Sequence, residues 1–174
     1  MSALLVIDCQ KEFFESEGIL GSRHYDAKLL SNIVLLIRQQ RSKQTKIIFV
    51  RAEYNNIQNP KYPTHSGKKS CCVPSSSLSE FRDEIAVEIQ TDDTVITKNY
   101  YSSFADTKLN SILKDANIDT VYLAGVTLNN CVRHTALHAR ELGFIPILVE
   151  NCIGMNARSY QIMSDLNMNV IKCN

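Results

Sequence analysis

Three reactive side chains stand at, or soon after, the ends of apolar, strand-like runs of the sequence. They are a carboxylate, a cation and a thiol: Asp8, Lys98 and Cys131. In open parallel sheets, ligands bind beyond the carboxyl ends of the strands, so such a fold would bring these side chains near one another. A base, a cation and a thiol placed there could together attack a carbonyl carbon. We therefore predict a nucleophilic site at this edge of a sheet.

Strand-like and helix-like segments alternate along the chain and must position these side chains. We expect strands at 3–7, 46–50, a run ending at 98, 121–124, 145–149 and 170–172, and helices at 26–41, 78–85, 107–116, 130–142 and 157–166. Strands separated by helices of this size imply a parallel sheet covered on both faces. The predicted fold class is α/β, a three-layer α/β/α, Rossmann-like arrangement with a six-stranded, mostly parallel sheet. The aperiodic segment 52–79 predicts a long loop that shapes the substrate pocket.

Composition limits the classes of function. A chain of 174 residues, 44% hydrophobic and 21% charged, predicts one globular domain spanning 1–174. Its net charge of +1 gives no electrostatic case for nucleic acid or an anionic membrane. No apolar run approaches the roughly 20 residues that span a bilayer. The start of the chain leads directly into a strand, so we expect no signal or transit peptide. With six cysteines expected to be reduced thiols, we predict a cytoplasmic location and a small-molecule substrate.

Cys131 follows a strand and a turn and opens a predicted helix. A thiol in the first turn of a helix lies near unpaired backbone N–H groups and the positive end of the helix dipole, which favour thiolate and can hold an oxyanion. The alternative for Cys131 is a small buried core residue. A carboxylate at the end of a buried strand must be paired or solvated, so Asp8 is either a base or a cap. Lys98 could equally be a surface residue.

Three motifs resemble those of the isochorismatase-like cysteine hydrolases, which include nicotinamidases, N-carbamoylsarcosine amidohydrolases and isochorismatases. Residues 8–13 resemble the family's Asp-x-Gln-x-x-Phe opening, and residues 98–104 resemble its Lys-x-x-x-Ser-Ala-Phe segment. Residues 123–139 resemble its nucleophile motif. The motifs follow the family's order over nearly the whole chain, which makes them specific together.

The resemblance implies a role for each reactive residue. Asp8 would take the thiol proton, Lys98 would stabilise the thiolate and the developing charge, and Cys131 would attack a carbonyl to give a thioester-type adduct. The resemblance also implies a cis peptide bond between Val126 and Thr127. The backbone N–H groups of Thr127 and Cys131 would form the oxyanion hole.

The resemblance and the strand ends also suggest a substrate pocket. Its candidate residues are Gln10, Phe13, Arg51, Glu53 and Tyr101. Gln10 would line the pocket or support it from behind, and Phe13 would form part of its wall. Arg51 and Glu53 could orient a polar substrate or form a surface ion pair. A homodimer or homotetramer is implied by the resemblance alone.

The chain departs from the family in its turn and in its metal motif. Leu128 and Asn129 stand where Thr-Asp is usual, and Asn151 stands where an Asp is common. Members that bind zinc, the nicotinamidases, carry Asp-x-His after the second strand, whereas residues 51–54 here read Arg-Ala-Glu-Tyr. We therefore predict no metal and no cofactor, and nicotinamide is a less favoured substrate.

Two other groups of residues include side chains of the kinds that bind metals, but neither group has the spacing or the number of ligands of a metal site. Cys71 and Cys72 are adjacent, so together with His65 they lack the spacing of a zinc knuckle. His134 and His138 lie four residues apart on a predicted helix but have no third ligand in view. An interface or a solvated face is the better interpretation of those two.

The function predicted from these residues is hydrolysis of a small amide, ureido or related carbonyl C–N bond through a Cys131 thioester. Two alternatives remain open. The first is isochorismatase-type cleavage of a vinyl ether, which uses the Asp and needs no thiol. The second is a non-catalytic binding or regulatory protein on the same fold, which the substitutions at Leu128 and Asn129 make plausible.

Overall fold

A parallel β-sheet runs through the centre of the computed structural model, which describes residues 1–18, 27–54, 71–156 and 159–173. Within these residues the strands are β1 (Ser2–Ile7), β2 (Lys46–Ala52), β3 (Thr94–Lys98), β4 (Thr120–Gly125), β5 (Ile145–Ile153) and β6 (Asn169–Ile171). Their order in the sheet is β3-β2-β1-β4-β5-β6, and every neighbouring pair is parallel. The predicted Rossmann-like sheet is confirmed, and its order reverses between β1 and β4, where ligands bind in folds of this class.

Helices connect these strands. They are α1 (Lys11–Phe14), α2 (Ala27–Ser42), α3 (Asp83–Ala86), α4 (Leu109–Asp115), α5 (Arg133–Glu141) and α6 (Ser159–Leu166). Two of the predicted helix starts, Asp26 and Ala157, lie outside the described residues. The structure adds α1, which the periodicity did not indicate. No helix among the described residues is long and apolar enough to cross a membrane.

The single helix predicted for 78–85 is wrong. The structure has a 3₁₀ turn over Ser77–Ser79 and then, after a break, α3. The break arises because the segment after β1 captures the intervening backbone: the Lys11 N–H donates to the Glu80 carbonyl and the Arg82 N–H donates to the Cys9 carbonyl, at 2.8 and 2.9 Å. Those bonds form an antiparallel bridge that a continuous helix would forbid.

Both faces of the sheet are buried, which explains the continuous apolar runs of its central strands. Along β1, Leu5 and Ile7 pack into the core under α4, α5 and α6. Leu4 and Val6 pack into the opposite core, under α2. The three-layer arrangement is therefore confirmed, and its reactive edge lies where the strands end.

Gly125 brings the end of β4 against the end of β1. Its φ is +113°, and a Cβ at this position would meet the Ile7 carbonyl oxygen at 2.0 Å. The following N–H, that of Val126, donates to the same oxygen at 2.9 Å. Glycine is required both for the dihedral angle and for the close approach. This contact directs the segment that carries Cys131 toward Asp8.

Gly125→Ala should lower the free energy of unfolding by about 3 kcal/mol or more, since roughly 1–2 kcal/mol of backbone strain adds to roughly 1–3 kcal/mol of steric overlap. Urea unfolding measures this loss. Gly143→Ala is the matched control, because Gly143 has a φ of +89° and nothing lies within 4 Å of its added Cβ. The control should lose about 1–2 kcal/mol through backbone strain alone. Equal losses in the two variants would contradict the close-approach explanation.

Candidate active site

Asp8, Lys98 and Cys131 lie together at the carboxyl edge of the sheet. The Lys98 Nζ is 2.8 Å from the Asp8 Oδ2 and donates a hydrogen bond to the Cys131 Sγ at 3.3 Å. The same ammonium donates to the Tyr100 carbonyl at 3.2 Å. Asp8 and Lys98 have no exposed surface, and Cys131 is 3% exposed. A carboxylate, an ammonium and a thiol thus form one buried cluster.

The Asp8–Lys98 contact is a buried ion pair, in which the Lys98 ammonium lies 2.8 Å from the Asp8 carboxylate. Burial raises the pKa of Asp8 above its usual range, and the positive charge of Lys98 only partly opposes that. Burial would lower the pKa of Lys98, but the negative charge of Asp8, together with the hydrogen bond to Cys131, outweighs it and holds that pKa above its usual range. Lys98 is therefore a cation at neutral pH, and Asp8 is a stronger base than an exposed carboxylate.

The Cys131 thiol is neutral in the resting protein. Burial and the negative charge of Asp8 raise its pKa to about 12, and the lowering effects of Lys98 and of a hydrogen bond from Tyr54 are smaller. The sequence predicted an environment that favours thiolate, and burial reverses that expectation. Attack by the sulfur therefore needs a base, and the basic group beside it is the carboxylate of Asp8.

Cys131 lies in a turn that continues directly into α5 at Arg133, so it falls in the first turn of the helical segment, as predicted. The turn is π-helical over Leu128–Val132, and the Val132 N–H reaches back to the Thr127 carbonyl at 3.1 Å. The Val126–Thr127 peptide bond is cis. Thr127 Oγ1 is buried and has no hydrogen-bond partner among the described residues.

The two residues that depart from the family's pattern have structural partners. Leu128 is fully buried in the core beneath α5. The Asn129 amide contacts the Asn156 side chain at 3.3 Å and accepts a hydrogen bond from the Ser159 hydroxyl at 2.9 Å. Asn129 thereby links the turn before Cys131 to the start of α6.

Tyr54 is a site residue that the sequence analysis missed. Its phenolic oxygen lies 3.3 Å from the Cys131 Sγ, and the Lys98 Nζ lies 5.5 Å from the centre of its ring. The ring packs edge-on against Tyr101 at 6.3 Å, and Tyr101 stacks on His134 at 5.4 Å. The available signal was its position two residues past β2, at the same sheet edge as the predicted site.

Gln10 and Phe13 are both buried, Gln10 against the end of β2 and Phe13 in the core under α2, and a place for either in a substrate pocket remains a prediction. The Gln10 amide nitrogen donates to the Ala52 and Ser79 carbonyls at 2.9 and 2.8 Å, and its oxygen accepts from the Ala52 N–H at 2.7 Å. Gln10 has no exposed surface, and Phe13 is 3% exposed within the core under α2. Gln10 therefore fixes the end of β2.

Arg51 and Glu53 form the ion pair that the sequence left as an alternative. Arg51 Nη2 lies 2.8 Å from Glu53 Oε1, and Arg51 Nε donates to the Thr97 hydroxyl at 3.1 Å. These residues alternate along the chain with Ala52 and Tyr54, and Tyr54 is the one that reaches Cys131. Tyr101, the remaining pocket candidate, joins the site through its ring contact with Tyr54.

Among the described residues, the side chains of metal-ligand type have other partners or lie apart. His134 stacks on Tyr101, whereas His138 contacts the Ser102 hydroxyl at 2.9 Å. Cys71 and Cys72 are buried, and His65 lies outside the described residues. Among the described residues, no group of three or more His, Cys, Asp or Glu side chains is placed to hold a metal ion.

Asn151 also has a structural partner. Its side chain exchanges two 2.8 Å hydrogen bonds with the backbone of Cys173. The amide thus fastens the segment after β6 to β5.

Comparison with known proteins agrees with this fold. The family model described as the Isochorismatase domain matches residues 2–170. A protein of Arabidopsis thaliana named probable inactive nicotinamidase is 27% identical over 153 residues, covering 85% of this chain and 77% of its own. The described fold, with reactive side chains at the switch point of a parallel sheet, is that of the isochorismatase-like α/β proteins. This chain belongs to the isochorismatase family.

Two solved structures extend the comparison. N-carbamoylsarcosine amidase from Thermoplasma acidophilum is 26% identical with a TM-score of 0.82, and the match covers 99% of this chain and 96% of that one. The pyrazinamidase of Pyrococcus horikoshii, in complex with zinc, is 26% identical with a TM-score of 0.80, covering 98% of both chains. Proteins similar to this chain therefore include enzymes named as amidases.

Lys98→Met should destabilise the fold by about 3–5 kcal/mol at neutral pH, because it leaves the Asp8 carboxylate buried without its counter-charge. The folded pKa of Asp8 is already raised, and loss of the cation raises it further. A group with a raised folded pKa contributes stability that is full below its unfolded pKa and is lost as pH rises through the folded pKa. The defect should therefore shrink on acidification, as measured by urea unfolding at acidic and neutral pH.

The control for this prediction is the double variant Asp8→Asn/Lys98→Met, which buries no charge at this position. Its free energy of unfolding should depend on pH less than that of Lys98→Met. A defect in Lys98→Met that is the same at acidic and neutral pH would contradict the charge explanation.

Proposed function

We propose that this chain is a cysteine-dependent hydrolase of a small amide, ureido or related carbonyl C–N bond, acting through a thioester on Cys131. The observation that carries the proposal is the buried cluster in which the Lys98 ammonium lies 2.8 Å from Asp8 and 3.3 Å from the Cys131 sulfur. Similar proteins named as amidases support the class of bond.

The first half of the reaction forms the thioester. Asp8 accepts the proton of the Cys131 thiol, and the resulting thiolate is stabilised by the charge of Lys98. The sulfur attacks the carbonyl carbon, forming a C–S bond and a tetrahedral oxyanion. When this intermediate collapses, the C–N bond breaks and Asp8 returns its proton to the leaving amine. The raised pKa of Asp8 suits both steps, since its protonated form persists closer to neutral pH.

The second half releases the acyl group. Asp8, again a carboxylate, removes a proton from water, which attacks the thioester carbonyl. Collapse breaks the C–S bond, releases the acid, and the proton held by Asp8 returns the sulfur to a thiol. Lys98 keeps its charge throughout, consistent with a pKa above its usual range.

The oxyanion of both tetrahedral intermediates would be held by the backbone N–H groups of Thr127 and Cys131. Thr127 caps the π-helical turn Leu128–Val132 that contains Cys131, and the Val132 N–H to Thr127 carbonyl bond closes this turn. Backbone donors fixed in this way need no reorganisation during the reaction. Tyr101, beside Tyr54, would form part of the substrate pocket.

The cellular location and the oligomeric state proposed for this protein rest on its sequence. A cytoplasmic location agrees with six cysteines that are free thiols in the structure. A homodimer or homotetramer remains a prediction that rests on the resemblance alone.

Cys131→Ala should lower amide hydrolysis by roughly 10⁴–10⁶-fold, the loss typical of removing a covalent nucleophile. The matched control is Cys173→Ala, which removes a thiol that hydrogen-bonds Gln39 rather than the site. The control should keep the activity of the wild type. Initial rates of acid or ammonia release over a panel of amides and ureides measure both. Hydrolysis that persists in Cys131→Ala would contradict the thioester mechanism.

The two alternatives give different results with the same variants. An isochorismatase-type vinyl-ether activity would survive Cys131→Ala, because that chemistry needs no thiol. Incubation of the wild type with a mixed amide and ureide library, followed by mass spectrometry, should trap an acyl adduct on Cys131. Absence of any adduct and of turnover across the panel would instead favour a binding protein. The relative named probable inactive nicotinamidase supports that alternative.

A further inference from the structure

Tyr54 touches the sulfur that the proposed reaction uses. The phenolic oxygen lies 3.3 Å from the Cys131 Sγ, within the range of a hydrogen bond to sulfur. On its other side, the Cys131 sulfur accepts a hydrogen bond from Lys98, also at 3.3 Å. The sulfur is therefore held between a cation and a phenol.

The direction of the Tyr54–Cys131 hydrogen bond is fixed once the sulfur loses its proton. With a neutral thiol, either atom can donate. A thiolate has no proton, so the phenol must then donate, and hydrogen bonds to charged acceptors are the stronger kind. Burial and the neighbouring negative groups raise the pKa of Tyr54 well above its usual value, so the phenol keeps its proton through the neutral range.

The position of Tyr54 is set by packing, which suits a fixed donor. Its backbone follows β2, whose last residue, Ala52, is bonded by Gln10 at both its N–H and its carbonyl. Its ring is held edge-on by Tyr101, which itself stacks on His134. A donor held in this way need not reorganise when negative charge appears on the sulfur.

We propose that Tyr54 is a fourth catalytic residue of this site, a neutral donor whose O–H stabilises the Cys131 thiolate during attack and again when the thioester breaks. The proposal deepens the proposed function and rests on it, since it takes Cys131 as the nucleophile. Asp8 removes the proton, Lys98 supplies the charge, and Tyr54 supplies a directed hydrogen bond. No proton leaves Tyr54 at any step.

The test is the pH dependence of alkylation at Cys131 by iodoacetamide, followed site by site with mass spectrometry. Among the described residues, the titratable groups that act on the sulfur are Asp8 from the end of β1, Lys98 from β3 and Tyr54 from beyond β2. Tyr101 also lies near the sulfur, and Cys72 acts on the Tyr54 phenol. On α5, His134 stacks on Tyr101, and burial lowers the pKa of His134. Its imidazole is therefore neutral over the pH range in which the thiol titrates. Tyr54→Phe removes one oxygen and leaves those groups in place.

Tyr54→Phe should slow alkylation of Cys131 about tenfold at neutral pH and move its pH profile upward, because the thiolate loses a hydrogen bond to a charged acceptor. Tyr160→Phe is the matched control: it removes the same oxygen from a side chain that is 63% exposed on α6, and it should change neither rate nor profile. An unchanged or faster rate in Tyr54→Phe, with an unmoved profile, would overturn the proposal.

A second measurement covers the case in which Tyr54→Phe alters the fold around Cys131. The ultraviolet absorbance of the thiolate, taken as the difference between each protein and its Cys131→Ala counterpart, should titrate at higher pH in Tyr54→Phe than in the wild type. The same titration in both proteins would overturn the proposal. Neither measurement needs a substrate, so a silent amide panel would reject the proposed function and leave the role of Tyr54 in thiolate stabilisation to be judged separately.

Discussion

The ion pair between Asp8 and Lys98 is the constraint on which the rest of the site depends. Both side chains lack exposed surface, and their charged atoms are 2.8 Å apart. Taking either charge out of water alone would cost several kcal/mol, so each requires the other. The pair joins β1 and β3, which are not neighbours: β2 lies between them. Gln10 fixes that intervening strand by bonding both backbone groups of Ala52. The two residues of the Asp-x-Gln motif thus have complementary roles: Asp8 forms the ion pair, and Gln10 fixes β2, the strand between β1 and β3.

The same pair has opposite effects on the thiol. The Asp8 carboxylate raises the pKa of Cys131 while the Lys98 ammonium lowers it, and burial decides the balance in favour of a neutral thiol. In the proposed reaction, attack therefore depends on a proton passing from the sulfur to the carboxylate within the cluster, not on a thiolate that exists beforehand. Burial makes this transfer feasible, because it raises the pKa of Asp8 as well. Desolvation therefore has two effects. It keeps the Cys131 thiol protonated in the resting protein, and it makes the Asp8 carboxylate a stronger base.

The sequence predicted the features that local patterns determine. Apolar runs located the strands, their alternation with helices implied the parallel sheet, and the strand ends identified Asp8 and Lys98. Contacts between distant segments that do not meet at the ends of strands were beyond it. Tyr54 and Cys131 are 77 residues apart, and no local pattern marks their contact. The helix predicted for 78–85 failed for the same reason, because the residues after β1 bond its backbone. The hydrogen bonds from Gln10 to Ala52 on β2 join residues 42 positions apart, and no local pattern marks them either.

The departures at Leu128 and Asn129 are the chain's strongest argument against activity, and the structure weakens it. Leu128 fills the core beneath α5, and Asn129 bonds residues at the start of α6, so both secure the turn that carries the nucleophile. A site that no longer had a catalytic function would be expected to lose its energetically unfavourable features first. The most unfavourable feature here is the burial of two opposite charges, because of its desolvation cost. That pair is intact and lies against the thiol. Replacing it with apolar side chains of similar volume would often leave a fold as stable or more so, so stability alone does not account for its presence. The proton transfer to and from sulfur that we propose is a physical account that fits the buried pair, the adjacent thiol and the phenol beside it.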